Sequence, residues 1–172
     1  SELETAVGRK GNGWADVNQF QVHTIWPQDS HEIIHLYLHM LGNPPYMFNE
    51  GIAVAFQVDP IGGRDWPMWN GRHVHDIAQS YLRAGTLPSL ASMLGGTDFW
   101  DLDDRVTYPA AGSFVFFLIE QRGIDPIIDF CRRSPSIDES ENATRSRFLS
   151  VFGMSLDDAE NAWHGMLETF SG

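Results

Sequence analysis

The stretch from His31 to Glu50 constrains this chain more than any other. It reads His31-Glu32-Ile33-Ile34-His35-Leu36-Tyr37-Leu38-His39-Met40-Leu41, then Gly42-Asn43-Pro44-Pro45, then Tyr46 onward through Glu50. The first run predicts a helix, closed by Gly42 and the prolines. A second helix is expected from near Tyr46 to about Phe56. On a helix, residues i and i+4 share a face, so His31 and His35 can point at one metal ion. Glu32 lies beside the pair and can reach a metal-activated water without being a ligand. A zinc ion held by three protein groups keeps a fourth position for that water and lowers its pKa towards roughly 7. Glu32 is then placed to take the proton as general base and to pass it to a leaving amine.

Such a site needs a third ligand. His39 sits one more turn along the same face, but three consecutive i,i+4 side chains on a straight helix do not converge on one ion with tetrahedral geometry. His39 is read as a histidine on the helix flank. An extended histidine motif on the first helix would need Gly at position 38 and His at position 41, where this chain has Leu38 and Leu41. Glu50 remains. A helix–turn–helix that folds back brings it opposite His31 and His35. Asp29 and Gln57 are candidate outer partners for the two histidines.

His31-Glu32-Ile33-Ile34-His35 followed by Met47-Phe48-Asn49-Glu50-Gly51-Ile52-Ala53 resembles the gluzincin metallopeptidases of the MA clan. It is similar above all to the catalytic domain of the aminopeptidase N family and to small bacterial relatives. The segment Tyr108-Pro109-Ala110-Ala111-Gly112-Ser113-Phe114, running on to Leu118-Ile119-Glu120 and Gly123, is similar to the helix that carries that family's transition-state tyrosine. The likeness covers roughly residues 18–132. It implies a zincin-like catalytic domain holding one Zn2+ per chain on His31, His35 and Glu50. It further implies Glu32 as general base, Tyr108 as hydrogen-bond donor to the developing oxyanion, and a peptide or protein as substrate. Two features depart from the family. The interval from His35 to Glu50 is shorter, and the Gly-Ala-Met-Glu-Asn segment that grips a substrate amino terminus is absent. The rival expectation is a catalytically silent domain on the same scaffold that binds metal and a peptide or cell-envelope partner. The intact Glu32 argues against it, because a purely structural zinc site closes its fourth position.

Composition narrows the partners. The formal net charge is -12 over 172 residues, with 11 Lys and Arg scattered along the chain. A nucleic-acid surface needs clustered basic residues, so nucleic acid is excluded, and an anionic membrane surface is disfavoured. No apolar run approaches the roughly 20 residues of a membrane span. A single cysteine, Cys131, rules out an internal disulfide and a cysteine zinc site. It is read as a half-buried structural thiol. The chain does not begin with Met, so its numbering is expected to start at a processed or engineered N-terminus, and two readings stay open, an extracytoplasmic protein or a domain excised from a longer bacterial protein. Oligomeric state and compartment are not legible.

The fold class expected is α+β and mostly helical, with a small N-terminal sheet packed on the metal helix and a helical lobe from about residue 73. Residues 1–14 read as a tail or loop, and residues 15–172 as one domain. Phe20, Val22, Thr24 and Trp26 alternate with Gln21, His23 and Ile25, which predicts a strand. Residues 58–71, rich in Gly, Pro and Trp, predict a loop. Further helices are expected over His73 to Ala84, Pro88 to Leu94, Tyr108 to Arg122, about 126–131, 142–152 and 156–169, the last opened by Ser155 and Asp158. His73 and His75 read as a solvated pair, with a role as alternative oxyanion donors as the rival. His23 reads as solvent-facing. Trp66, Trp69 and Trp100 read as aromatics sealing a small core rather than a substrate pocket. Trp163 and His164 read as packing and surface.

Overall fold

The protein is described here by a computed structural model covering residues 13–25, 29–58, 67–94 and 98–172. Within them the molecule is mostly helical with two small antiparallel sheets of two strands each. The first sheet joins β1 (Gly13–Asp16) to β2 (Gln21–Thr24), with Gly13 opposite Thr24 and Asp16 opposite Gln21. Then come α1 (Ser30–Leu41) and α2 (Tyr46–Phe56). The second sheet is the hairpin β3 (Met68–Trp69) and β4 (Arg72–His73), followed by α3 (Val74–Arg83), α4 (Leu90–Leu94) and α5 (Asp98–Asp101). The long α6 (Asp104–Arg122), α7 (Asp125–Arg132), α8 (Glu141–Phe152) and α9 (Leu156–Thr169) complete the chain.

Each boundary has a local cause. Asp29 caps α1 by accepting from the Glu32 N–H at 3.3 Å, which supplies one of the donors that the first turn leaves unpaired. The turn after α1 is pinned to the far lobe, because Asn43 N–H donates to Ser134 O at 3.0 Å. Pro45, whose fixed φ suits a helix entrance, accepts from Phe48 N–H and Asn49 N–H and starts α2. Asp103 caps α6 on Arg105 N–H. Ser155 caps α9 on Asp158 N–H at 3.0 Å.

The core lies between α2, α6 and the C-terminal helices. Phe48, Phe114, Phe130, Phe148, Phe152 and Trp163 are buried in one cluster, with the Phe48 and Phe130 rings 4.4 Å apart. Burying each such ring contributes on the order of 1.5–3 kcal/mol. At the α2–α6 crossing the backbones nearly touch. A Cβ at Gly51 would lie 2.7 Å from Ala111 O, and one at Gly112 would lie 2.3 Å from the Val54 side chain. This close seam fixes Glu50 against the helix that carries Tyr108.

Four expectations need correction. Gly13 and Trp14 belong to β1 rather than to a tail; the rest of that proposed tail, residues 1–12, lies outside the described residues. Residues 68 and 69 form a strand within the expected loop. Asn70 and Gly71 have φ of 49° and 79°, the left-handed pair of a two-residue hairpin turn. The long helix starts at Asp104, not at Tyr108. Pro109 falls in its sixth position, and the carbonyl it leaves without a donor belongs to exposed Arg105, where water can serve it. Cys131 is fully buried rather than half-buried, and burial pushes its thiol up to about 12. Among the described residues no helix is long and apolar enough to cross a membrane.

Candidate metal centre

α1 and α2 place three ligating side chains at one point. His31 and His35 stand one turn apart with their rings 4.8 Å from centre to centre and nearly perpendicular. Glu50 projects from α2 between them. Its Oε2 lies 3.1 Å from His31 Nε2 and 3.3 Å from His35 Nε2, and one ligating atom from each residue falls within 4.8 Å of the others. Burial alone would raise the Glu50 pKa, but the adjacent imidazoles outweigh it and hold the carboxyl well below its usual range. Burial would likewise lower His35, and the Glu50 carboxylate reverses that, so His35 is raised. The anion and the two nitrogens thus converge on a place where a cation belongs. Two imidazoles and one carboxylate, with open space on one side, form a donor set that suits zinc.

The open side is a cavity of about 790 Å³, within the usual range for small-ligand sites. His31, His35 and Glu50 line it, together with Glu32 from α1, Tyr108 and Trp100, and Gly13 to Ala15 of β1. None of the described lining residues is Lys or Arg. Burial raises the Glu32 pKa despite the two neighbouring histidines. β1 runs hard against this carboxylate, since a Cβ at Gly13 would sit 2.8 Å from Glu32 Oε1. Tyr108 stacks on the His31 ring at 6.0 Å, and Trp69 of the β3–β4 hairpin covers Tyr108 at 5.4 Å.

The structure therefore gathers His31, Glu32, His35, Glu50 and Tyr108 in one cavity. His39 lines the same cavity, but its Nδ1 pairs with Asn43 Oδ1 at 3.1 Å and it stands apart from the three converging ligands. Of the two outer partners, Gln57 reaches the site, with Oε1 2.9 Å from His31 Nδ1. Asp29 instead caps α1 and accepts from the Thr24 hydroxyl at 2.7 Å. Trp100 lines the cavity as well as packing on the core, and Trp69 backs Tyr108. Trp66 lies outside the described residues. His23 is exposed and stacked on Trp14.

The reading of His73 and His75 as a solvated pair is wrong. His75 is 1% exposed. Burial holds its pKa down to about 3, so it is neutral, and its approach to Glu120 is a hydrogen bond rather than an ion pair. Trp163 Nε1 donates to Ser113 Oγ at 3.0 Å, Ser113 Oγ lies 2.8 Å from His75 Nδ1, and His75 Nε2 lies 3.2 Å from Glu120 Oε2. A carboxylate only accepts, so Nε2 carries the proton and Nδ1 accepts from the Ser113 hydroxyl. The serine, histidine and acid resemble a nucleophilic set, but Ser113 is fully buried and no substrate reaches it. His73 caps α3 on the His75 N–H. No signal in the sequence could have found this network, because each of its hydrogen bonds joins residues 38 to 50 positions apart.

No family model, curated protein or solved structure matches the chain.

Proposed function

We propose that this chain is a zinc-dependent peptidase domain of the gluzincin type with a zincin-like fold. The observation that carries the reading is the convergence of His31, His35 and Glu50 within 4.8 Å in an open cavity that Glu32 also lines. When bound, zinc supplies a Lewis acid and a water acidified towards neutral pH. Glu32 takes a proton from the attacking water and returns it to the leaving amine. Tyr108 donates its phenolic hydrogen to the carbonyl oxygen as negative charge develops there. β1, Trp100 and Tyr108 shape the space in which a peptide lies. The described lining residues offer no Lys or Arg to an acidic side chain, so neutral and basic peptides are the substrates favoured.

The test combines elemental analysis with peptide turnover. About one zinc per chain is expected, lost in Glu50→Ala. Glu32→Gln should keep the metal and lose cleavage of a mixed peptide library. Zinc that binds with no turnover by the native chain would turn the reading towards a silent binding domain. No zinc uptake by the native chain would sink both.

A further inference from the structure

For His31 to bind a metal through the nitrogen that faces Glu50, that nitrogen must be a lone pair. A neutral imidazole has its lone pair on Nε2 only when its proton sits on Nδ1. At His31 the neighbours decide which nitrogen carries it. The Gln57 amide nitrogen lies 3.1 Å from Met68 O. A backbone carbonyl only accepts, so the NH2 of Gln57 faces Met68 and Oε1 faces His31. Oε1 is 2.9 Å from His31 Nδ1, and an amide oxygen also only accepts, so Nδ1 carries the proton. In the neutral ring Nε2 is then the lone-pair nitrogen that a metal ligand needs, and it faces Glu50 Oε2 at 3.1 Å.

We propose that Gln57 is the positioning residue of the metal site: it locks His31 in the Nδ1–H form and ties that histidine, through Met68 O, to the β3–β4 hairpin. The proposal rests on the metal reading above. Gln57 is the C-cap residue of α2, seven positions after Glu50, so one helix supplies both a ligand and the device that aims another ligand. It is 5% exposed, and a buried amide with both ends engaged has no freedom to turn over. The same hairpin reaches His31 by a second route, Trp69 on Tyr108 and Tyr108 on His31. A β-hairpin of four paired residues thus buttresses the first metal ligand from two sides. Outer partners of this kind commonly change metal affinity by roughly 10–100-fold when removed.

The decisive measurements are on the full chain. A long-range proton–nitrogen correlation spectrum of the native, zinc-loaded protein should show His31 protonated on Nδ1. A His31 protonated on Nε2 would overturn the proposal, whatever any variant does. Zinc affinity, read by competition with a chromophoric chelator, should fall roughly 10–100-fold in Gln57→Met, which keeps the volume but has no amide. Gln57→Glu keeps an acceptor for Nδ1 and should bind zinc no more weakly than the native chain. Native affinity in Gln57→Met would remove the proposal while leaving the metal reading intact. A native chain with no zinc affinity would remove the metal reading itself.

Discussion

Glu32 and Glu50 are the same chemical group put to different uses by what surrounds them. Glu50 lies between two imidazoles that hold its carboxyl ionised despite burial, which is what a ligand requires. Glu32 is desolvated against β1, and its pKa is raised, which is what a proton carrier requires. Under the proposed mechanism, Glu32→Gln should lower kcat by at least about 10²-fold with zinc content unchanged, checked by steady-state rates and elemental analysis on the same sample. Equal loss of metal in this variant would contradict the division of roles. Sterics at the α2–α6 seam give a second prediction at this scale. Gly112→Ala places a methyl group 2.3 Å from Val54, and should lower unfolding free energy by about 1–3 kcal/mol in a urea titration. The metal pair His31 and His35 was legible because i,i+4 spacing is local. Gln57 was not separable from Asp29 as an outer partner, since it reaches His31 across 26 residues of chain.

Among the elements, the two helices that carry the ligands were readable from their stops, Gly42 and the prolines. The β3–β4 hairpin had a signal too. Asn70-Gly71 is the strongest short hairpin signature, yet its strands have only two residues each and sit in a stretch dense with Gly, Pro and Trp, so composition outweighed it. β1 escaped notice because Gly13-Trp14-Ala15-Asp16 has no alternation of its own, and it becomes a strand only by pairing with β2. The hairpin turn is testable. Gly71 has φ of 79° with nothing within 4 Å of where a Cβ would stand. Gly71→Ala therefore meets no clash and should cost only backbone strain, about 1 kcal/mol. If the hairpin holds His31 as proposed, that variant should also bind zinc more weakly than the native chain, and the chelator competition that tests Gln57 reads both effects. Unchanged zinc affinity alongside lower stability would detach the hairpin from the site.

At the scale of the whole molecule, the buried network around His75 links α3, α6 and α9, and so makes stability depend on pH. His75 is held at about 3 in the folded chain and returns to its ordinary value of about 6.5 when unfolded. Its folded pKa is depressed, so the unfolded chain binds the proton more readily. The contribution is therefore fully present above about pH 6.5 and is lost as pH falls towards 3. Between neutral pH and pH 5 the loss amounts to about 2 kcal/mol, because the unfolded chain takes up a proton on His75 in this range while the folded network, in which Nδ1 accepts from Ser113 beneath Trp163, does not. Glu120, on the exposed side of the network, is half in water and compensates little. Urea denaturation of metal-free protein at pH 7 and pH 5 measures the loss, and His75→Gln isolates it. The variant should be less stable than the native chain at pH 7, where the native network is intact. It should also lose about 2 kcal/mol less than the native chain on going to pH 5, because glutamine takes up no proton there. If native chain and variant fall in parallel, the acid sensitivity lies in other groups and His75 is not the residue that ties α9 to α6 through its charge state.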